Sequence, residues 1–166
     1  MEGSDQEKVI TAIKEKYEDE ILHIEAPYNF LTITIKKEKV VEIIHYLYNH
    51  LDTKFQFLTT LGGIHFPEVN QIVVMYQLHN LVNNQRIRLK VYLPAENPVI
   101  PTITGIFAGA NWLERETYDF FGVIFEGHPN LKRILNVDEM IIYPMRKEYP
   151  LEDQTREDKN DTMFGR

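Results

Sequence analysis

The chain contains no cysteine. That excludes disulfides, thiolate nucleophiles, cysteine-ligated zinc and cysteine-held iron–sulfur clusters. It lacks a basic excess: 18 Lys and Arg face 25 Asp and Glu, a formal net charge of −7. Nucleic-acid binding needs a cationic surface to neutralise phosphates, so that class is excluded as well. No run approaches the ~18 uninterrupted apolar residues of a membrane-spanning helix. The opening MEGSDQEKVITAIKEK has no apolar core of a secretory signal. These absences predict a soluble, cytoplasmic chain. A phosphate cradle is also missing: Gly62-Gly63 has no flanking lysine and no Gly-x-Gly-x-x-Gly spacing, so the pair is expected to break a strand in a turn.

What is present suits a single domain of 166 residues with a substantial core, since 43% of the chain is hydrophobic. Ser4 to Glu7 reads as a capping box. Val9, Ile10, Ile13 and Tyr17 then share one helical face, in a helix ending near Asp19. Ile21 to Glu25 and the alternating Leu31 to Ile35 read as strands, with Pro27 and Asn29 turning between them. Val40, Val41, Ile44, Leu47 and Leu51 form a second helical stripe, with His45 and His50 in or beside it as ordinary solvent-facing histidines. A strand starts at Phe55 to Leu58. Ile72 to His79 and Arg86 to Leu93 bracket Asn83-Asn84-Gln85 as a long hairpin. In its second arm Ile87, Leu89, Val91 and Leu93 point one way and the basic Arg86, Arg88 and Lys90 the other. That stripe is either a solvated sheet face or a docking surface for an acidic partner. Pro94, Pro98 and Pro101 predict a loop. The expected fold is α+β, a mostly antiparallel sheet packed with helices.

The densest stretch is residues 111–135, NWLERETYDFFGVIFEGHPNLKRIL. Ile106, Ala110, Leu113, Thr117 and Phe120/Phe121 fit one helical face, and Gly122 is placed as the left-handed residue that stops it. Arg115 and Asp119 are four apart on this helix and Glu116 and Asp119 three apart. Gly127 and Pro129 fix a tight turn around His128. Two chemistries compete. Glu116, Asp119 and His128 could bind a metal or act as acid and base. Alternatively Arg115 and Arg133 neutralise Glu114, Glu116 and Asp119 as buried ion pairs at a protein interface. With no obvious nucleophile and no second histidine in the stretch, the interface is expected.

Glu114-Arg115-Glu116, Asp119, the aromatic pair, Gly122, Phe125, Gly127-His128-Pro129, Leu131 and Arg133 resemble the signature of the thirty-kilodalton subunit of respiratory complex I. In bacteria this is the C subunit of NADH:quinone oxidoreductase. Tyr143-Pro144, Arg146-Lys147 and Tyr149-Pro150-Leu151 are similar to that family's closing motif. The resemblance implies a cofactor-free, non-catalytic peripheral-arm subunit of a proton-translocating complex. It would pack against the large quinone-site subunit and neighbouring peripheral-arm subunits, near the terminal iron–sulfur cluster. NADH, FMN, iron–sulfur clusters and quinone belong to the assembled complex. The chain would lie on the cytoplasmic side of the bacterial inner membrane, touching the membrane only through that complex. The equivalent subunit of a membrane-bound hydrogenase is the nearest alternative, and a free-standing enzyme using Glu116, Asp119 and His128 a distant one.

The expected division is a domain over residues 1–142 containing the 111–135 segment, followed by an extended arm over 143–166. Pro144 and Pro150 interrupt helix and ladder alike. Arg146 and Lys147 offer donors to a partner, and Tyr149 and Leu151 offer apolar anchors. From Glu152 onward the chain has no apolar periodicity, so a partner's surface is expected to order it.

Overall fold

Period-two alternation in the middle of the chain sets the architecture, which a computed structural model describes for residues 2–51 and 53–149, with side chains from residue 6 onward. In chain order the elements are α1 (Glu2–Tyr17), β1 (Ile21–Glu25), β2 (Thr32–Ile35), α2 (Val40–Asn49), β3 (Phe57–Phe66) and β4 (Gln71–Asn80). They continue with β5 (Gln85–Pro94), β6 (Val99–Pro101), α3 (Ala110–Phe121) and β7 (Ile124–Glu126). Five strands form one sheet in the order β1-β2-β5-β4-β3. Its pairs are antiparallel except β2 with β5, which run parallel. A small second sheet joins β6 and β7 in parallel.

The β4–β5 register places Ile72 opposite Leu93, Val74 opposite Val91, Tyr76 opposite Leu89 and Leu78 opposite Ile87. All eight are buried, and they pack in one core with Val9, Ile13 and Tyr17 of α1 and Val40, Ile43, Ile44 and Leu47 of α2. Hydrophobic side chains repeating every second residue thus meet side chains repeating every third or fourth. The opposite face carries Ile64, Phe66, Arg86 and Tyr92, all exposed. The α+β expectation holds, including the mostly antiparallel sheet and the hairpin arms. Among the described residues, no helix is long and apolar enough to cross a membrane.

Several local expectations are corrected. The first helix begins at Glu2, so Ser4 lies inside its first turn and is not the cap; that side chain is outside the described residues. The second helix closes at Asn49, leaving Leu51 exposed beyond the buried stripe. Gly62-Gly63 does not break the strand: β3 runs through both, opposite Met75 and Val74. The glycine is required there by packing. A Cβ on Gly63 would stand 2.6 Å from the ring of Phe121, so its bare backbone is the seat on which the end of α3 rests. The proline-marked stretch also contains β6, whose partner β7 lies beyond α3.

Candidate functional site

Helix α3 buries Glu114, Arg115, Thr117 and Asp119 beside Ala110, an unusual load of polar groups for one helix. Buried polar groups must find partners, because losing water without replacement is costly. Thr117 is satisfied locally, its hydroxyl donating to the Leu113 carbonyl at 2.8 Å. Arg115 and Asp119 instead reach across to the segment that follows β7, and Glu114 to the residues just after β6.

Asp119 is the centre of this arrangement. Its Oδ2 accepts three successive main-chain amides, from Ile134 (3.1 Å), Leu135 (2.8 Å) and Asn136 (2.9 Å). Its Oδ1 accepts Nη1 of Arg133 at 2.7 Å and the side-chain amide of Asn136 at 3.1 Å. Burial by itself would raise the pKa of this carboxyl. The Asn136 amide, the Arg133 guanidinium and the amides of Leu135 and Ile134 overcome it and hold Asp119 far below the ordinary carboxylate range. Arg133 also donates to the carbonyls of Asp119, Met140 and Ile142. Arg115 donates to the carbonyls of Lys132 (3.1 Å) and Arg133 (2.9 Å), with its guanidinium over the half-exposed Trp112.

The expected ion network is therefore only partly present. Arg133 pairs with Asp119, but Arg115 binds carbonyls, and Glu116 makes no ion pair among the described residues. Among the described residues, no Lys or Arg pairs with Glu114. Its Oε1 accepts the Ile103 amide at 2.8 Å and its Oε2 the Thr102 hydroxyl. His128 lies 4.0 Å away, with both side chains fully buried. The imidazole Nδ1 accepts the Asn130 amide at 3.0 Å, so Nε2 carries the proton and donates to the Asn111 carbonyl at 3.2 Å. Burial pushes the Glu114 carboxyl up, partly offset by Thr102 and Ile103. The Tyr76 hydroxyl is buried without a hydrogen-bond partner among the described residues, and its pKa is pushed up by burial and then by the charge of Glu114.

A raised carboxyl binds its proton more tightly folded than unfolded. Glu114 therefore withdraws stability as pH climbs from the unfolded value, about 4.3, through its folded value. Glu114→Gln is expected to gain stability relative to the parent over that climb. Melting temperatures of both chains from pH 4 to 8 test this, and a pH-independent gap between them would count against it.

The glycines and the closing motif complete the site. Gly122 ends α3 in the left-handed region (φ 75°), its amide donating to Tyr118 at 2.8 Å. The Tyr143 ring lies on it so closely that a Cβ would be 2.6 Å away. Tyr143 is flanked by the guanidiniums of Arg133 (5.2 Å) and Arg146 (5.0 Å) and meets Tyr118 edge-on. Arg146 donates to the Phe121 carbonyl at 2.8 Å, and the Lys147 amide donates to Nδ1 of His65 at 3.0 Å. Gly127 (φ 80°) supplies the turn before His128 and Pro129. Residues 131–149 thus form a strap fastened to α3 and the end of β3. Residues 150–166, including Leu151 and the acidic stretch after it, lie outside the described residues.

The metal or acid–base arrangement of Glu116, Asp119 and His128 is not assembled. His128 stands by Glu114, and Asp119 spends both oxygens on the strap. Among the described residues no group of three or more His, Cys, Asp or Glu is placed to hold a metal ion. Sequence reasoning missed Thr102 and Ile103, which hold Glu114, as well as Asn136 and His65. The one available signal for the first pair was polar Thr102 just after the proline-marked strand.

Residues 33–155 match the family described as respiratory-chain NADH dehydrogenase, 30 Kd subunit. The chain is 34% identical to the NADH-quinone oxidoreductase C subunit of Geobacter sulfurreducens, over 93% of this chain and 95% of that protein. It is 38% identical to the C subunit of Mycolicibacterium gilvum over 73% of this chain, spanning 54% of that longer protein. Among solved structures, a trypsin-resistant fragment (1-134) of Nqo5 superposes with a TM-score of 0.62 at 32% identity, covering 76% of this chain and 99% of the fragment. A chain of the archaeal membrane-bound sulfane sulfur reductase shares the fold, with a TM-score of 0.75 at 22% identity over 87% of this chain and 85% of that one. The signature residues on α3 and its strap thus occur in a chain that belongs to the family of the 30 Kd subunit of the respiratory-chain NADH dehydrogenase.

Proposed function

We propose that this chain is a non-catalytic bracing subunit of a proton-translocating NADH-quinone oxidoreductase, gripping the large quinone-site subunit through the strap and the residues after it. The observation that carries the reading is where α3 spends its charge. Asp119, Arg133 and Arg115 all fix the backbone of the strap, while Leu135, Val137, Ile141 and Met145 on that strap remain exposed. A pinned backbone presenting apolar side chains is preorganised to bind, because ordering it costs little on association. None of the signature side chains is arranged around a reacting atom, so NADH, FMN, iron–sulfur clusters and quinone are assigned to the other subunits. Bracing matters to such a complex because electron delivery depends on fixed spacing between cluster and quinone. The chain would lie peripherally on the cytoplasmic side, carried by its partners. The relatives that are C subunits of NADH-quinone oxidoreductase favour this reading over a hydrogenase subunit.

Purification of the tagged chain from solubilised membranes, in three lengths, tests the proposal. The full chain should bring down NADH dehydrogenase subunits. Removing residues 150–166 should reduce recovery of the large subunit while the melting temperature of the isolated chain holds. Removing 136–166 should lower both, because Asp119 and Arg133 lose strap partners. Recovery of the large subunit unchanged in both truncations would overturn the proposal.

A further inference from the structure

The basic stripe on β5 is not uniform. Lys90 is neutralised by Glu25 at 2.8 Å. Among the described residues, Arg86 and Arg88 form no ion pair, although the charge of Arg88 acts on Glu25 at longer range. Arg88 lies over the Phe30 ring at 4.8 Å, and its Nε is buried with no hydrogen-bond partner among the described residues. A buried guanidinium nitrogen without an acceptor is a cost that a native structure retains for a reason. Beside it opens a cleft of about 400 Å³ between the N-terminal end of α1, the turn before β2 and the turn joining β4 to β5. Gln6, Asn29, Phe30, Asn83, Asn84 and Arg86 line it, and none of the described lining residues is acidic. Asn29 on its wall and the preceding Tyr28 are both held at positive φ (61° and 54°), and Tyr28 is fully exposed. Successive left-handed non-glycine residues store strain of the kind found at binding sites.

We propose that this cleft is a docking site for an acidic segment of a neighbouring subunit, whose aspartate or glutamate carboxylate pairs with Arg86 and Arg88. The charge argument comes first: in a chain of net charge −7, Arg86 on the cleft wall and Arg88 behind the Phe30 ring, neither in an ion pair among the described residues, form a local cationic site. Arg88 lies against the Phe30 ring, and a guanidinium fork receives a carboxylate through two parallel bonds. The carboxamides favour a peptide over a bare inorganic anion. An anion needs donors alone, whereas side-chain amides offer donors and acceptors together, matching the N–H and C=O of an incoming chain. Exposed Tyr28, next in the chain to Asn29, offers an aromatic anchor. The strap is fastened at His65, opposite Ile72, whereas Arg86 lies opposite His79 at the other end of β4. This surface is therefore separate from the strap.

The test uses the assembled complex carrying the Arg86→Lys or Arg88→Lys chain, which keeps the charge and supplies an amine. A carbodiimide joins an amine directly to a touching carboxyl, and mass spectrometry locates the new amide. We expect a link from position 86 or 88 to an aspartate or glutamate of another subunit, absent with the parent chain because guanidinium does not couple. A link only to this chain's own acidic residues at 152–161, or no link at all, overturns the proposal. In parallel, the Arg86→Gln and Arg88→Gln double variant should weaken association by roughly tenfold or more, with a shallower salt dependence, at an unchanged melting temperature of the isolated chain. Unchanged affinity in that variant also overturns it.

Discussion

Asp119→Ala is expected to destabilise the isolated chain by about 3–5 kcal/mol, the range for stranding one member of a buried ion pair. The pair is buried on both sides, with side-chain exposures of 7% for Arg133 and 0% for Asp119. The loss extends beyond the pair, because three consecutive amides and the Asn136 side chain lose their acceptor together. Asp119→Asn should fall between, since the amide keeps one acceptor oxygen but loses the charge. Urea unfolding followed by fluorescence measures the difference, and a cost below about 1 kcal/mol would show that water replaces these contacts freely. The pH dependence has a definite sign. A depressed carboxyl contributes stability that is fully present above its unfolded value, about 3.9, and is lost as pH falls through its lower folded value. Parent and alanine variant should therefore converge in strong acid. Within the complex, the amount assembled should drop while turnover per assembled complex holds.

Gly122→Ala is expected to cost about 2–4 kcal/mol, combining a left-handed backbone for a residue with a Cβ and overpacking against a fixed ring. The backbone sits at φ 75° and the added Cβ would meet the Tyr143 ring at 2.6 Å. Tyr143 cannot retreat easily, being held between two guanidiniums. The two contributions separate in a double-mutant cycle. In a Tyr143→Ala background only the backbone part should remain, so Gly122→Ala should cost less there. Strict additivity of the two substitutions would mean the ring does not press on this glycine.

These two positions also show what sequence can and cannot convey. Gly122 was legible as a helix stop because the left-handed requirement is local, and the β4–β5 hairpin was legible because alternation and turn chemistry are written in adjacent residues. Gly63 was not legible: the residue that demands it, Phe121, arrives from the far end of α3. The charged cluster misled for a related reason. Spacings of three and four suggested compensation along the helix, whereas the real partners of Arg115 and most of those of Asp119 are main-chain groups of the strap. Every residue carries such groups, so nothing in the sequence singles them out. Strand β6 was hidden because Pro98 before it and Pro101 at its end read as a loop and its partner β7 lies beyond α3. The unpaired state of Arg88 depended on Glu25 choosing Lys90, a contact between strands far apart in the chain.

The parallel pairing of β2 with β5 bears on the order in which the protein can form. β3, β4 and β5 are joined by short turns and can zip in sequence, each closing only a small loop. β2 leaves the ribosome long before β5, yet β5 is the strand that ties β1 and β2 into the sheet. Until Gln85 to Pro94 has emerged, the apolar faces of α1 and α2 have no completed sheet to cover. The first half of the chain must therefore wait as an aggregation-prone nascent segment and then fold onto the meander that follows it.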